Sequence, residues 1–319
     1  MSRLARALLF AAGAIVLAVL VARVGPTLIF DLLRRVGWAF LTVSLLYTVH
    51  LAVRSAALWR SLPSAVMRFV DVFQIRLAGE AVEMLTFTGP FLAEPTKGYL
   101  LTRRGATGPD AFGAVAIEYL LYTLVSAWLA AGALALLLLR NALSPSLRGP
   151  IIGLVVAIAL LTAGFVVAAI TGVGLIVPTV RSAGWVVGRQ RAERAAAAIE
   201  PVECVLVTFM HARPGRLAEV IILEGVVHTL LALEVATVLH ALGLPFGWLD
   251  PFIVEGGVKF ISVVFFFIPG QIGASESVYT ILFQALGFPA AAGLTLALVR
   301  RVRALVVAAA GTVALSLTS

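Results

Sequence analysis

Six stretches of this chain are apolar over about the twenty residues that a helix needs to cross a bilayer: Arg6–Ala22, Trp38–Leu58, Ala111–Leu139, Ile151–Val177, Leu217–Leu242 and Ala290–Leu317. Hydrocarbon satisfies no backbone polar group, so each run predicts a helix that closes its own hydrogen bonds. A mean hydropathy of +1.06, with 61% hydrophobic and 13% charged residues in 319, exceeds what a soluble core uses and excludes the soluble enzyme classes. The fold class expected is an all-α polytopic membrane protein.

Charge adds orientation. The net +8 is carried by arginine, with Lys97 and Lys259 the only lysines, and is read through the preference of cytoplasmic loops for basic residues. Nucleic-acid binding is not expected. Cys204 is the only cysteine, which rules out an intrachain disulfide and a thiolate metal cluster. His50, His211, His228 and His240 have no zinc-ligand spacing, so no cofactor or metal is expected. Arg3 and Arg6 precede the apolar run Ala7–Ala22 as in a secretory signal, but no small-x-small cleavage site follows, which predicts a retained anchor.

Two segments between these spans are apolar yet broken. Asp71–Arg104 contains Gly89-Pro90-Phe91-Leu92-Ala93-Glu94-Pro95-Thr96-Lys97-Gly98, and Pro251–Gly287 contains Ile268-Pro269-Gly270-Gln271-Ile272-Gly273-Ala274-Ser275-Glu276. Broken backbone and ionisable groups at membrane depth are tolerated inside protein or beside a water-filled cavity, which makes these segments the site hypothesis. Each is either a re-entrant hairpin or a pair of short spans. Arg60 and Arg68 lead into the first and Arg103 and Arg104 lead out, so it is expected to dip in from the cytoplasm and return. The second lies between Gly243–Asp250 and Gly287–Ala290, which carry no basic residue, so it is expected to enter from outside.

The basic cluster Arg181, Arg189, Arg191, Arg194, Arg213 and Arg216 marks a cytoplasmic linker over 181–216, which also holds the amphipathic run Ala192–Phe209. With both termini cytoplasmic, residues 1–148 and 149–319 form two halves. Each has two spans, a hairpin (71–104 or 251–287) and a further span, and the halves start on opposite faces. Setting Glu94 on Glu276 places Gly105 on Gly287 and Glu118 on Arg300. An inverted-topology repeat is the economical reading, and such repeats build substrate sites at their interface from discontinuous helices.

The candidate site residues follow from these breaks. Arg76, Glu80 and Glu83 form one helical stripe, followed by Glu94 and Lys97 at i, i+3. The stripe can bind a cationic group or a proton, or Arg76 can simply pair with Glu80 and leave Glu83 at an interface. Glu255 and Lys259 are i, i+4 partners. Gln271, Ser275 and Glu276 sit where a helix restarts near Ala274, its N–H groups aimed at an anion or merely capped by Ser275. Arg300, Arg301 and Arg303 interrupt the last span and need a partner, either a phosphate or carboxylates such as Glu118 and Glu276. Glu224 and His228 share a face at i, i+4, with Glu234 further along. They read as a proton site or, by preference, as a buried hydrogen-bonded pair.

Gly79-Glu80 through Pro90, Glu94, Lys97-Gly98, Leu101 and Arg103-Arg104-Gly105, then Ile268 to Glu276 and Leu298-Val299-Arg300-Arg301-Val302-Arg303, resemble the lysyl-phosphatidylglycerol synthase transmembrane, or flippase-like, family. The Arg-Arg-Val-Arg ending and the chain length are similar to its hopanoid-associated branch. The first motif departs by reading Gly-Pro-Phe-Leu-Ala-Glu where many members have Pro-x-Arg-x-Gly-Glu. The resemblance implies a bacterial inner-membrane protein that moves an amphiphilic lipid, with lipid-biosynthesis proteins as possible partners. The chain ends at Ser319, directly after the last span, so a soluble aminoacyl-transferring domain is not expected. An intramembrane lipid-modifying enzyme, argued from the acids near His228, and a non-transporting scaffold remain the alternatives.

Overall fold

A computed structural model describes residues 27, 34, 36–63, 67–85, 89–140, 146, 148–264 and 274–318. The span expected at Arg6–Ala22 and the residue Gln271 lie outside them. The described residues are almost wholly helical and contain no strand. The helices are α1 (Ala39–Ser61), α2 (Phe69–Leu85), α3 (Pro90–Arg103), α4 (Gly108–Leu139), α5 (Arg148–Thr171), α6 (Ile176–Ser182), α7 (Gly184–Val187), α8 (Arg189–Ala212), α9 (Pro214–Ala241), α10 (Asp250–Val264), α11 (Ala274–Ala285) and α12 (Ala290–Thr318).

Five of these, α1, α4, α5, α8 and α9, are long and apolar enough to cross a membrane. α8 joins that set although the sequence placed its run in a cytoplasmic linker, and its first half keeps Arg189, Arg191, Glu193, Arg194 and Glu200 exposed. α12 is long enough at 29 residues but holds Arg300, Arg301 and Arg303. α4, with 32 residues, is about 48 Å long and outreaches a hydrocarbon core of about 30 Å.

Local chemistry sets the helix ends. α1 stops at Ser61 because Pro63 forces Leu62 into an extended conformation. α4 starts on Thr107, whose hydroxyl accepts the Asp110 N–H at 3.3 Å, with Pro109 and Asp110 in its first turn. α3 and α11 end in the same reversal. After α3, the N–H groups of Arg104 and Ala106 donate to Leu101 O and that of Gly105 to Thr102 O. After α11, those of Leu286 and Phe288 donate to Phe283 O and that of Gly287 to Gln284 O. Gly105 has φ 101° and Gly287 φ 82°, left-handed values that a residue without Cβ adopts freely.

α1 and α9 run antiparallel down the centre. Arg60 pairs with Glu219 at one end, His50 Nδ1 lies 3.4 Å from Val227 O in the middle, and Val43 packs with Val235 and Val238 at the other. α2 folds back along α3, with Asp71 and Gln74 beside Arg104 and Gly79 beside Lys97. α10 folds back along α11 in the same way, Gly257 facing Leu282. α12 lies along α2 and α10 along α4, each pair in close backbone contact. Gly311 meets Leu77 O and Ala81, and Gly256 meets Leu129 O and Ala133.

The two helical hairpins open toward opposite ends of the bundle. The end of α1, the start of α2, the end of α3 and the starts of α4 and α9 share one end, where Arg213 and Arg216 donate to Pro63 O and Leu62 O. The end of α9, the start of α10, the end of α11 and the start of α12 share the other, where Arg140 pairs with Asp250. α5 to α8 pack outside α4. There the buried Glu203 carboxylate accepts the Ile176 and Val177 N–H groups and so caps α6.

Candidate functional site

Two charged nodes are buried in this bundle, one in each group of four helices. Each brings at least one residue from every helix of its group.

Glu118 on α4 is the centre of the first, with none of its surface exposed. Arg54 on α1 donates to Glu118 Oε1 from Nε at 3.0 Å and from Nη2 at 2.7 Å. Arg76 on α2 donates from Nη1 to Oε2 at 3.3 Å, and Lys97 on α3 has its Nζ 3.8 Å from Oε2. Three cations thus converge on one carboxylate, two of them shared with outer acids. Glu80 lies 3.4 Å from Arg76 Nε, and Glu94 accepts from Lys97 Nζ at 2.6 Å. Arg76 is 1% exposed, yet its Nε and Nη2 lie near carboxylates without hydrogen-bond geometry. Gly79 makes room for this arrangement, since a Cβ there would sit 2.8 Å from the Lys97 Cγ. Glu83 is half-buried beside the node.

Arg300 on α12 is the centre of the second node. Its guanidinium donates to Glu234 Oε1 on α9 at 3.2 Å, to Glu255 Oε2 on α10 at 2.8 Å, to the Tyr279 hydroxyl on α11 at 2.7 Å and to Leu231 O at 3.2 Å. Four of the five N–H donors of the planar fork are therefore engaged by protein. Arg303, one turn on, is buried against Glu234, and Lys259 Nζ lies 3.4 Å from Glu255.

Two tyrosines join the nodes. Tyr47 on α1 donates to Glu80 at 3.3 Å while the Arg303 guanidinium lies over its ring at 3.6 Å. Tyr122 on α4 lies under Arg54 at 3.8 Å, and Lys259 Nζ donates to its hydroxyl at 2.6 Å.

Most residues singled out in the sequence therefore meet. Arg76, Glu80, Glu94, Lys97 and Glu118 form the first node, and Glu255, Lys259 and Arg300 the second. The expected Arg76–Glu80, Glu94–Lys97 and Glu255–Lys259 pairs are formed. Two expectations need correction. Arg300 pairs with Glu234 and Glu255, because those carboxylates on α9 and α10 face α12, while Glu118 is taken up by the cations of its own helix group. Glu224 and His228 share a face but form no hydrogen-bonded pair. His228 Nε2 lies 3.0 Å from Ser126 Oγ, its ring stacks on Tyr122, and both Glu224 oxygens are without a protein partner among the described residues. Ser275 and Glu276 belong to the first turn of α11, but their side chains lie outside the described residues, as does Gln271.

Arg54, Tyr47, Tyr122 and Tyr279 were not singled out. For Arg54 the signal was available, since a lone arginine inside the apolar window Trp38–Leu58 needs a buried partner. The tyrosines carry no such mark, because an aromatic residue in an apolar helix is ordinarily packing.

No metal-binding group of three or more His, Cys, Asp or Glu occurs among the described residues. The basic side chains are consumed by carboxylates, so the arrangement holds charge, aligns polar groups at depth and can exchange one ion-pair partner for another. No match was found among curated proteins or among solved structures. Residues 4–311, however, match the family model described as the lysylphosphatidylglycerol synthase TM region. With nearly the whole length matched, this multi-pass membrane protein belongs to that family.

Proposed function

We propose that the protein moves an amphiphilic lipid, a phospholipid or an isoprenoid or hopanoid-type lipid, between leaflets of the bacterial inner membrane without altering it covalently. The observation that carries this reading is the burial of two polar nodes in helical hairpins that open toward opposite ends of an otherwise apolar bundle. Charged groups at this depth are costly, and a lipid's polar head is the cargo that such groups can shield while the tails stay in hydrocarbon. Family membership points to the same lipid chemistry.

In this reading the halves 1–148 and 149–319 are inverted repeats, and α2–α3 and α10–α11 are re-entrant hairpins. The support is geometric: the pairs α2–α12 and α4–α10, and α3–α4 and α11–α12, exchange with one another when the halves are exchanged. Arg300 follows Glu118 by 182 positions (300 less 118), and the same spacing relates Gly105 to Gly287, Lys97 to Tyr279 and each hydrogen bond in the two helix-end reversals. The basic end of the bundle, with Arg60, Arg68, Arg103, Arg104, Arg213 and Arg216, is then cytoplasmic.

The first node is the head-group site. Arg76 presents two N–H groups with no hydrogen bond, and Arg54 and Lys97 stand beside it, so a phosphate can replace Glu80, Glu94 or Glu118 as their partner. The second node, where four of the five Arg300 N–H donors already have protein partners, acts as the lock that holds the halves together until the head group enters. The test uses the purified full chain in phosphatidylcholine vesicles carrying a fluorescent, headgroup-labelled phosphatidylglycerol, with dithionite bleaching of the outer leaflet. Transfer is expected in wild type, to fall about tenfold or more in Arg76→Lys, which keeps charge but loses the fork, and to be lost in Arg300→Ala. Full transfer by well-folded protein of both variants would remove these roles, and no transfer by wild type would remove the function.

A further inference from the structure

Among the buried carboxylates Glu118, Glu234, Glu255 and Glu224, the first three are held by arginine and Glu224 stands alone. It is completely buried on α9, ten residues past the helix start and so about 15 Å from the basic end. A carboxylate at that depth without a partner is stable only as the neutral acid. His228 lies one turn further on the same face, also buried, with Nδ1 unpartnered and Nε2 against Ser126. On a helix such a pair has Cβ atoms about 5–6 Å apart, close enough for direct or one-water proton transfer.

The groups facing this pair come from both nodes. Toward Glu224 they are Arg54 on α1, Glu118 on α4, Arg76 on α2 and Lys97 on α3. Toward His228 they are Lys259 and Glu255 on α10, Arg54 on α1 and Tyr122 on α4. From α8, the apolar Leu206, Phe209 and Met210 pack in one cluster with the neighbouring Val220. The pair therefore bridges the Glu118 node and the Arg300 node, and it is the place where both are sensitive to one proton.

We propose that Glu224 binds the proton whose movement is coupled to lipid movement, with His228 as its next acceptor. This rests on the transport reading above. The Glu224 O–H bond breaks as an N–H bond forms on His228 Nδ1, the Nε2–H proton passes to Ser126 Oγ, and the hydroxyl gives up its own proton toward solvent. The carboxylate left behind competes with Glu118 for Arg54. Arg54 shifts toward Glu224, the node around Arg76 and Lys97 loses its alignment, and the head group is released. Reprotonation returns Arg54 to Glu118.

The same vesicles, now with a pH difference across the membrane, test this. For one proton per lipid, a difference of one unit sustains about a tenfold ratio of labelled phosphatidylglycerol between leaflets. Glu224→Gln, which keeps shape and hydrogen-bonding capacity, is expected to fold as wild type and abolish that ratio. His228→Phe is expected to reach the same ratio more slowly. Lipid exchange with no response to the pH difference would overturn the coupling and leave the transport reading intact. If no lipid moves, transport and coupling fall together. In that case the infrared difference spectrum between wild type and Glu224→Gln still decides the proton site: a titrating carboxylic-acid C=O band supports it and a missing band refutes it.

Discussion

Glu118 and Arg300 occupy matching places in the two groups of four helices, and they carry opposite charge. Glu118 gathers Arg54, Arg76 and Lys97 from α1, α2 and α3, whereas Arg300 gathers Glu234, Glu255 and Tyr279 from α9, α10 and α11. In each node the charge of the centre is met by opposite charges from other helices of its own group. Each node also fixes the register of four helices at once, which apolar contacts between helices in lipid specify weakly.

Removing one member of such a node leaves its partners buried and unpaired. Glu118→Leu and Arg54→Leu are each expected to lower stability by about 3–5 kcal/mol. The double variant is expected to cost less than their sum, by a coupling of about 1–3 kcal/mol. Unfolding of all four proteins in one detergent supplies the cycle. Additive losses would show that Arg54 and Glu118 act separately.

Much of this was legible in the sequence because membrane chains expose their logic in hydropathy and charge. The apolar windows gave α1, α4, α5, α9 and α12, and the Pro and Gly clusters located both hairpins. Helical spacing was enough for the pairs within one element, Arg76–Glu80, Glu94–Lys97 and Glu255–Lys259. It failed for pairs between elements. Whether Arg300 meets Glu118 or Glu234 depends on which helix lies beside α12, and hydropathy is blind to that. Likewise, i, i+4 spacing put Glu224 and His228 on one face, but Ser126 and Tyr122 on α4 decided where the imidazole turned.

Glu203 offers a second prediction. Its carboxylate is 2.5 Å from the Ile176 N and 3.0 Å from the Val177 N, and Gly174 leaves no room for a side chain beside it. Because the start of α6 depends on this cap from α8, Glu203→Ala is expected to cost about 1–2 kcal/mol. The loss should be local, appearing as faster protease cleavage within residues 172–188 while α1 and α9 keep their hydrogen-exchange protection. Unchanged cleavage would show that α6 is held by its packing alone.

The α2–α12 crossing provides a third. At Gly311 an added Cβ would overlap the backbone carbonyl of Leu77, which cannot swing aside as a side chain does. Gly311→Leu is expected to separate the helices and lower stability by about 3 kcal/mol. Gly132 on α4 is the control, exposed and with nothing within 4 Å of its Cβ position. There Gly132→Ala should be neutral or gain up to about 1 kcal/mol from helix propensity. Thermal unfolding of the two variants side by side separates a packing requirement from a general aversion to larger residues. Equal responses would mean that the crossing is not tight.

The opposed hairpins can be tested without any transport assay. Ala106 and Phe288 follow the positive-φ glycines Gly105 and Gly287, and both are placed by the same hydrogen bond back to the helix, from their N–H to Leu101 O and Phe283 O. They mark the two ends of the bundle. In a Cys204→Ala background, Ala106→Cys is expected to react with a membrane-impermeant maleimide only after the cytoplasmic face is opened, and Phe288→Cys in intact spheroplasts. Both residues lie outside the helices, in the connections after α3 and α11, so loss of fold is not expected to confuse the outcome. Labelling of both cysteines from one side would refute the inverted arrangement and the transport reading built on it. Labelling from opposite sides would place the Glu118 node on the cytoplasmic hairpin and the Arg300 node on the outer one, as a head group passing between them requires.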